Sequence, residues 1–154
     1  MQRSKLIRWL SLFLGIAMLG FGVLKFVDPF KAWYTLQVTS SGLGDTAYSM
    51  GILGEITAGI FYLLSLFKRR IPSPYGFYTA ALASVLVIIM MVTGIYVHLH
   101  PAVSAEVLPL KIKPPYIPAL FMMMAVMQLW LIKLVYSGQI TKHRHLPANR
   151  MTIQ

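Results

Sequence analysis

Four long runs of apolar residues, separated by short polar stretches, set the pattern of this chain. They extend from Trp9 to Val27, Thr46 to Phe67, Tyr75 to Leu99 and Tyr116 to Tyr136. A hydrocarbon core of about 30 Å is crossed by about 20 apolar residues in a helix, and each run is close to that length. The first is uncharged until Lys25 and the fourth until Lys133, and the third carries no charge if His98 is neutral. The second holds a single charge, Glu55. The pattern predicts an all-α, polytopic membrane protein: a four-transmembrane-helix bundle in one membrane domain over residues 1–154, with no stretch left for a soluble domain.

The polar stretches add detail. Asp28-Pro29-Phe30 reads as a helix start, because Asp caps well and Pro suits the first helical position. Phe30, Trp33, Tyr34 and Gln37 follow at helical spacing. They predict a short interfacial helix on the outer membrane surface, with Trp33 and Tyr34 at headgroup level. Thr39 to Asp45 is a return loop; its Gly42-x-Gly44 follows no strand and carries no phosphate-binding weight. Lys68 to Pro74 is a tight turn. Pro101 disfavours helix just before it and stops the third span near His100. Ala102 to Pro115, proline-rich with Leu108, Leu110 and Ile112 along one side, predicts an extended lid across the outer end of the bundle.

Composition agrees with the membrane class. The chain is 57% hydrophobic and only 12% charged, with a mean hydropathy of +0.68, where a soluble domain carries about 25% charged residues. A net charge of +10 would suggest nucleic acid in a soluble protein; here its distribution reads as topology. Arg3, Lys5, Arg8, Lys68, Arg69, Arg70, Lys133, Lys142, Arg144 and Arg150 fall on one side, and Lys25, Lys31, Lys111 and Lys113 on the other. Asp28, Asp45 and Glu106 share the poorer side. The positive-inside rule then places both termini in the cytoplasm of a bacterial-type inner membrane. The basic N-terminus resembles a signal peptide, but the apolar run continues past Gly22 and reads as a retained first helix. The bilayer is the expected partner and nucleic acid is not. The basic tail from Gly138 to Gln154 is placed to touch anionic lipid.

Several chemistries are excluded. Cysteine is absent, which removes thiolate catalysis, disulfide exchange, iron–sulfur clusters and cysteine zinc sites within the chain. Met90, Met91, Met122, Met123, Met124 and Met127 scatter around their helices, which suits packing better than a copper site. His98 and His100 face different ways, and His143 and His145 belong to the opposite side, which argues against a bis-histidine haem. No metal-ligand cluster, nucleophile–base pair, nucleotide loop or internal repeat is visible.

Attention therefore falls on the polar residues inside the spans. Glu55 shares a helix face with Gly51 and Gly59, four residues away on either side. Small residues admit a close neighbour, so the carboxyl points into the bundle. An acid at mid-membrane costs several kcal/mol unless compensated. Glu55 is either a paired or protonated structural acid or a contact for a proton, ligand or substrate. Lys25 shares a face with Gly15 and Gly22; it either snorkels to the interface or turns inward toward Glu55. His98 either bonds a loop or water at the helix end or makes a proton or ligand contact at the bundle mouth. Gln128, near the midplane, predicts a hydrogen bond across helices, at about 0.6–2 kcal/mol.

Gly20-Phe-Gly-Val-Leu-Lys25-Phe26 closes the first span, and Gly51-Ile-Leu-Gly-Glu55-Ile-Thr-Ala-Gly59 lies in the second. Pro74-Tyr-Gly-Phe-Tyr-Thr-Ala-Ala81 opens the third and Val97-His98-Leu99 closes it. With these pieces in this order the chain resembles the DoxX and DoxX-like family of small four-helix membrane proteins. The resemblance implies the four-helix fold. It also implies a link to quinone chemistry or oxidative stress, since the family includes a subunit of thiosulfate:quinone oxidoreduction. Lys25, Glu55 and His98 match the family's polar pattern, and no catalytic motif comes with it.

The expected function is an accessory subunit of a quinone-linked or stress-related redox complex. Its ligand, a quinone, would lie between the helices with Glu55 below and His98 above; a protonated Glu55 or a neutral His98 N–H would donate to it. Lys25 and Gln128 complete the candidate ligand-binding set, no metal is expected, and a redox partner subunit and oligomer formation stay open. The alternatives are a non-enzymatic assembly or interaction protein and, less favoured, a small-molecule or proton carrier.

Overall fold

The computed structural model describes residues 2–67 and 75–144. The turn expected at Lys68–Pro74 and the tail after Arg144 lie outside the described residues. The described chain forms α1 (Gln2–Leu24), α2 (Phe30–Ser40), α3 (Gly44–Leu64), α4 (Tyr75–Leu99) and α5 (Tyr116–Arg144). Two short 3-10 turns, Ala105–Val107 and Pro109–Lys111, lie between α4 and α5. Four helices, α1, α3, α4 and α5, are long and apolar enough to cross a membrane. The protein is an all-helical, multi-pass membrane bundle with one short extra helix, α2.

The helix bounds differ from the apolar runs at both ends of α1 and of α3 and at the end of α5. α1 begins at Gln2 and ends at Leu24, and α5 continues to Arg144. Hydropathy marks the part of a helix that suits lipid, whereas Lys, Arg and Gln are good helix formers that extend it into water. α4 matches its run and ends at Leu99, two residues before Pro101, as the proline requires.

Small residues bring α1 and α3 together as an antiparallel pair. A Cβ on Gly59 would stand 2.7 Å from the Leu19 backbone nitrogen, and one on Gly22 would stand 2.7 Å from Ile56. A Cβ on Gly15 would meet Leu63 at 3.0 Å. Backbones this close leave no room for a methyl group, the packing mode by which membrane helices associate. The central core joins Leu14 and Met18 of α1, Ala58 and Tyr62 of α3, Ala83 and Val87 of α4, and Phe121 and Ala125 of α5. Outward-facing Phe13, Ile16, Leu53, Ile60, Ile89 and Trp130 stay exposed, an apolar jacket that fits a lipid surround.

The helix contacts also set depth. Glu55 lies eleven residues after Gly44, the first residue of α3, or about 16 Å along the axis. Gly22, in the last turn of α1, lies level with Glu55 and Ile56. α1 therefore stops well inside the length of α3, and α2 packs against the first turns of α3 beyond it. Tyr34 of α2 points its hydroxyl at the carbonyls of Tyr48 (3.1 Å) and Ala47 (3.4 Å). The short helix lies between α1 and α3 as the sequence places it, but it starts after Pro29 without a side-chain cap from Asp28, and the Tyr34 hydroxyl is turned to α3.

The α4–α5 connection is not extended. Its two 3-10 turns fold back over the end of the bundle that bears α2, burying Val103 and Leu108 against Val97, with Leu43 packed beside them. The Tyr96 hydroxyl donates to the Ser41 carbonyl at 3.2 Å, and the Gln37 amide donates to the Val107 carbonyl. The Lys113 ammonium donates to the carbonyls of His100, at 2.7 Å, and Val103. A lysine holding two loop carbonyls closes a turn that prolines cannot close with their own nitrogens. The segment does cover this end of the bundle, as expected of a lid, but in folded form.

Candidate functional site

Lys25 follows the last residue of α1, where the chain turns through hydrogen bonds from Phe26 N–H to Val23 and from Val27 N–H to Leu24. The turn lies close to the middle of α3. The Lys25 ammonium lies 2.7 Å from Glu55 Oε1, with only 15% and 12% of the two side chains exposed. Lys25 does not snorkel; it turns inward. The same ammonium lies 3.8 Å from the centroid of the Tyr34 ring. An ammonium at that distance is attracted to the negative face of the ring, by up to about 2 kcal/mol when desolvated. Lys25 is thus held between a carboxylate and an aromatic face.

Glu55 is buried, as its glycine neighbours imply. Its two oxygens are not equivalent. Oε1 takes the lysine hydrogen bond; Oε2 is buried and receives no hydrogen bond among the described residues. A carboxylate oxygen in that state costs about 1–3 kcal/mol or more. Burial first, and then the Glu55 charge, push the Tyr34 hydroxyl well above the ordinary tyrosine range. Tyr34 therefore stays protonated and acts as a donor.

The other expected residues stand apart from this pair. His98 is buried at the α2 end, with Nδ1 3.3 Å from the Lys113 carbonyl. A carbonyl only accepts, so Nδ1 carries the proton and Nε2 of a neutral ring is an acceptor. The N–H expected to face a quinone is spent on the loop. This is the loop-bonding role, and it ties α4 to the segment covering the bundle.

Gln128 is fully buried and bonds across helices, as its position suggests: Nε2 donates to Ser11 Oγ at 2.7 Å and to the Ile7 carbonyl at 3.2 Å. Its Oε1 is also without a partner among the described residues. Ser11 precedes Lys25 by fourteen positions, about 21 Å along a helix, so Gln128 and the ion pair belong to opposite halves of the bundle. Between them Tyr62 donates to Ser84 Oγ at 2.9 Å, and Ser84 donates to the Ala80 carbonyl at 2.8 Å.

Of the four expected residues, Lys25 and Glu55 come together, and His98 and Gln128 do not join them. Tyr34 is the member that sequence reasoning assigned elsewhere. Its signal is its place one helical turn from Phe30 on a segment that reads as a short interfacial helix. Periodicity alone could not say which face meets α3.

No protein-family model, curated protein or solved structure matches the chain. The candidate site therefore stands on its geometry.

Proposed function

We propose that this protein is an accessory membrane subunit, DoxX-like in character, that holds the polar head of a lipophilic quinone-class ligand at Lys25, Glu55 and Tyr34. The observation that carries this reading is the buried ion pair with one carboxylate oxygen left over. A structural salt bridge in a dry interior is stable only when its remaining lone pairs are satisfied, and Glu55 Oε2 is not. Intramembrane ionisable residues mark substrate or proton pathways by default. The pair presents an ammonium and a carboxylate side by side, a donor and an acceptor that suit a small ring bearing oxygen. Lys25 binds and orients such a head, and Glu55 holds the lysine while offering a second contact. The quinone class would supply two-electron chemistry to a partner subunit, since the cysteine-free chain has no thiol redox centre of its own. On this reading the site opens toward the outer leaflet of a bacterial-type inner membrane, with both termini cytoplasmic.

One observation favours the interaction-protein reading. Lys25 is engaged on two sides, by Glu55 and by the Tyr34 ring, and so can serve as a staple joining α1, α2 and α3. Gentle solubilisation followed by solvent extraction and mass spectrometry separates the two. A prenylated quinone at near-stoichiometric amount supports the ligand reading. A stable protein partner with no small molecule supports the staple.

A further inference from the structure

We infer that the Lys25–Glu55 site engages its ligand through a hydroxyl group, and so selects the reduced, phenolic member of a quinone-class pair over the oxidised carbonyl member. The inference rests on the preceding reading of the pair as a lipophilic-ligand site and adds its chemical preference.

The donors and acceptors of the pair do not balance. An ionised carboxylate only accepts, and an ammonium only donates, with three N–H groups. Glu55 Oε1 is met by Lys25 at 2.7 Å, and Oε2 is met by nothing among the described residues. Tyr34 does not fill the gap: its O–H is directed to the carbonyls of Tyr48 and Ala47, and its face is turned to Lys25. The unmet capacity of the site is therefore an acceptor. Of the three lysine N–H groups, one serves Oε1 and one the ring face, which leaves one more donor. A hydroxyl answers both, donating its hydrogen to Oε2 while its oxygen accepts from Lys25. A carbonyl can only accept from Lys25. It leaves Oε2 orphaned and brings its own lone pairs toward a carboxylate. Leaving a buried acceptor unpaired, against pairing it, corresponds to about tenfold or more in Kd.

The test uses the full-length protein in lipid nanodiscs and three probes on one ring: a short-chain alkyl hydroquinone, its dimethyl ether and the matching quinone. The hydroquinone is kept reduced with dithionite, which has no disulfide or thiol to act on in this chain. The expected result is hydroquinone binding at least tenfold tighter than either the ether or the quinone. In Glu55→Gln, an amide can turn its NH₂ toward the ligand, so the preference should fall below threefold. If the quinone or the ether binds the unmodified protein as tightly as the hydroquinone, the inference is overturned and the ligand reading survives. If none of the three binds, both fall. The unmodified protein alone decides between these outcomes, so a Glu55→Gln protein that fails to fold would not spare the inference.

Discussion

Gly59 of α3 lies against the backbone of Leu19 in α1, so that a Cβ on Gly59 would stand 2.7 Å from the Leu19 nitrogen and 2.8 Å from its Cβ. Backbone cannot move aside as a flexible side-chain tip can. Gly59→Ala should cost about 1–3 kcal/mol, the usual range for overpacking. Gly20 is the control. A Cβ there meets nothing within 4 Å, so Gly20→Ala should be neutral or stabilising by up to about 1 kcal/mol. Thermal unfolding of both variants in one detergent checks this. Equal melting temperatures would contradict the close α1–α3 approach.

That approach positions the ion pair. Gly22 lets α1 lie beside Glu55, and Lys25 is the first residue past the helix end. Removing either charge strands the other in an apolar interior, at about 3–5 kcal/mol, whereas removing both leaves nothing stranded. Lys25→Met and Glu55→Gln should therefore each destabilise strongly, and the double change should cost less than their sum by about 3 kcal/mol or more. A double-mutant cycle on unfolding in detergent measures the coupling. Additive losses would mean that the two groups do not depend on each other.

Much of this was legible in the sequence. Length and hydropathy locate the four spans, because the bilayer imposes a fixed thickness on any crossing helix. The glycine spacing around Glu55 points the acid inward, because the helical period puts residues four apart on one face. What escaped was the depth of Lys25. From the first run alone it reads as a residue at the membrane edge, and only the register of α1 on α3 shows that it ends level with Glu55. Tyr34 escaped for a related reason. An aromatic residue beside an interface has two uses, and a helical period does not say which neighbour its face will meet. In the α4–α5 segment, the prolines suggest extended chain, but the Lys113 bonds to the His100 and Val103 carbonyls fold it into turns.

Tyr34 makes two separable contributions. Tyr34→Phe removes the hydroxyl bonds to α3 and keeps the ring over Lys25, so it should cost about 1 kcal/mol. Tyr34→Leu removes the ring face as well and should cost about 0.5–2 kcal/mol more. In Lys25→Met the ring has no cation to meet, so the gap between Phe and Leu at position 34 should shrink there. A gap that stays the same in both backgrounds would show that the ring acts by packing alone.

Orientation in the membrane can be read by labelling. The chain has no cysteine, so single cysteines introduce unique thiols. Lys5 lies exposed near the start of α1 and Ala102 lies exposed at the α2 end. In intact cells an impermeant maleimide should label Ala102→Cys and leave Lys5→Cys unlabelled until the membrane is opened. The reverse pattern would invert the proposed topology.

In the proposed function, the buried Lys25–Glu55 pair is the polar centre of a lipophilic-ligand site. The most direct measurement is the rise in melting temperature that a short-chain quinone-class hydroquinone gives in nanodiscs, compared between variants. Ligand that binds only the folded state stabilises it by mass action. Gln128→Leu, which alters a polar contact in the other half of the bundle, should keep the full ligand-induced shift. The double variant Lys25→Met/Glu55→Gln, with no stranded charge, should lose it. An equal shift in the double variant and the unmodified protein would contradict the account.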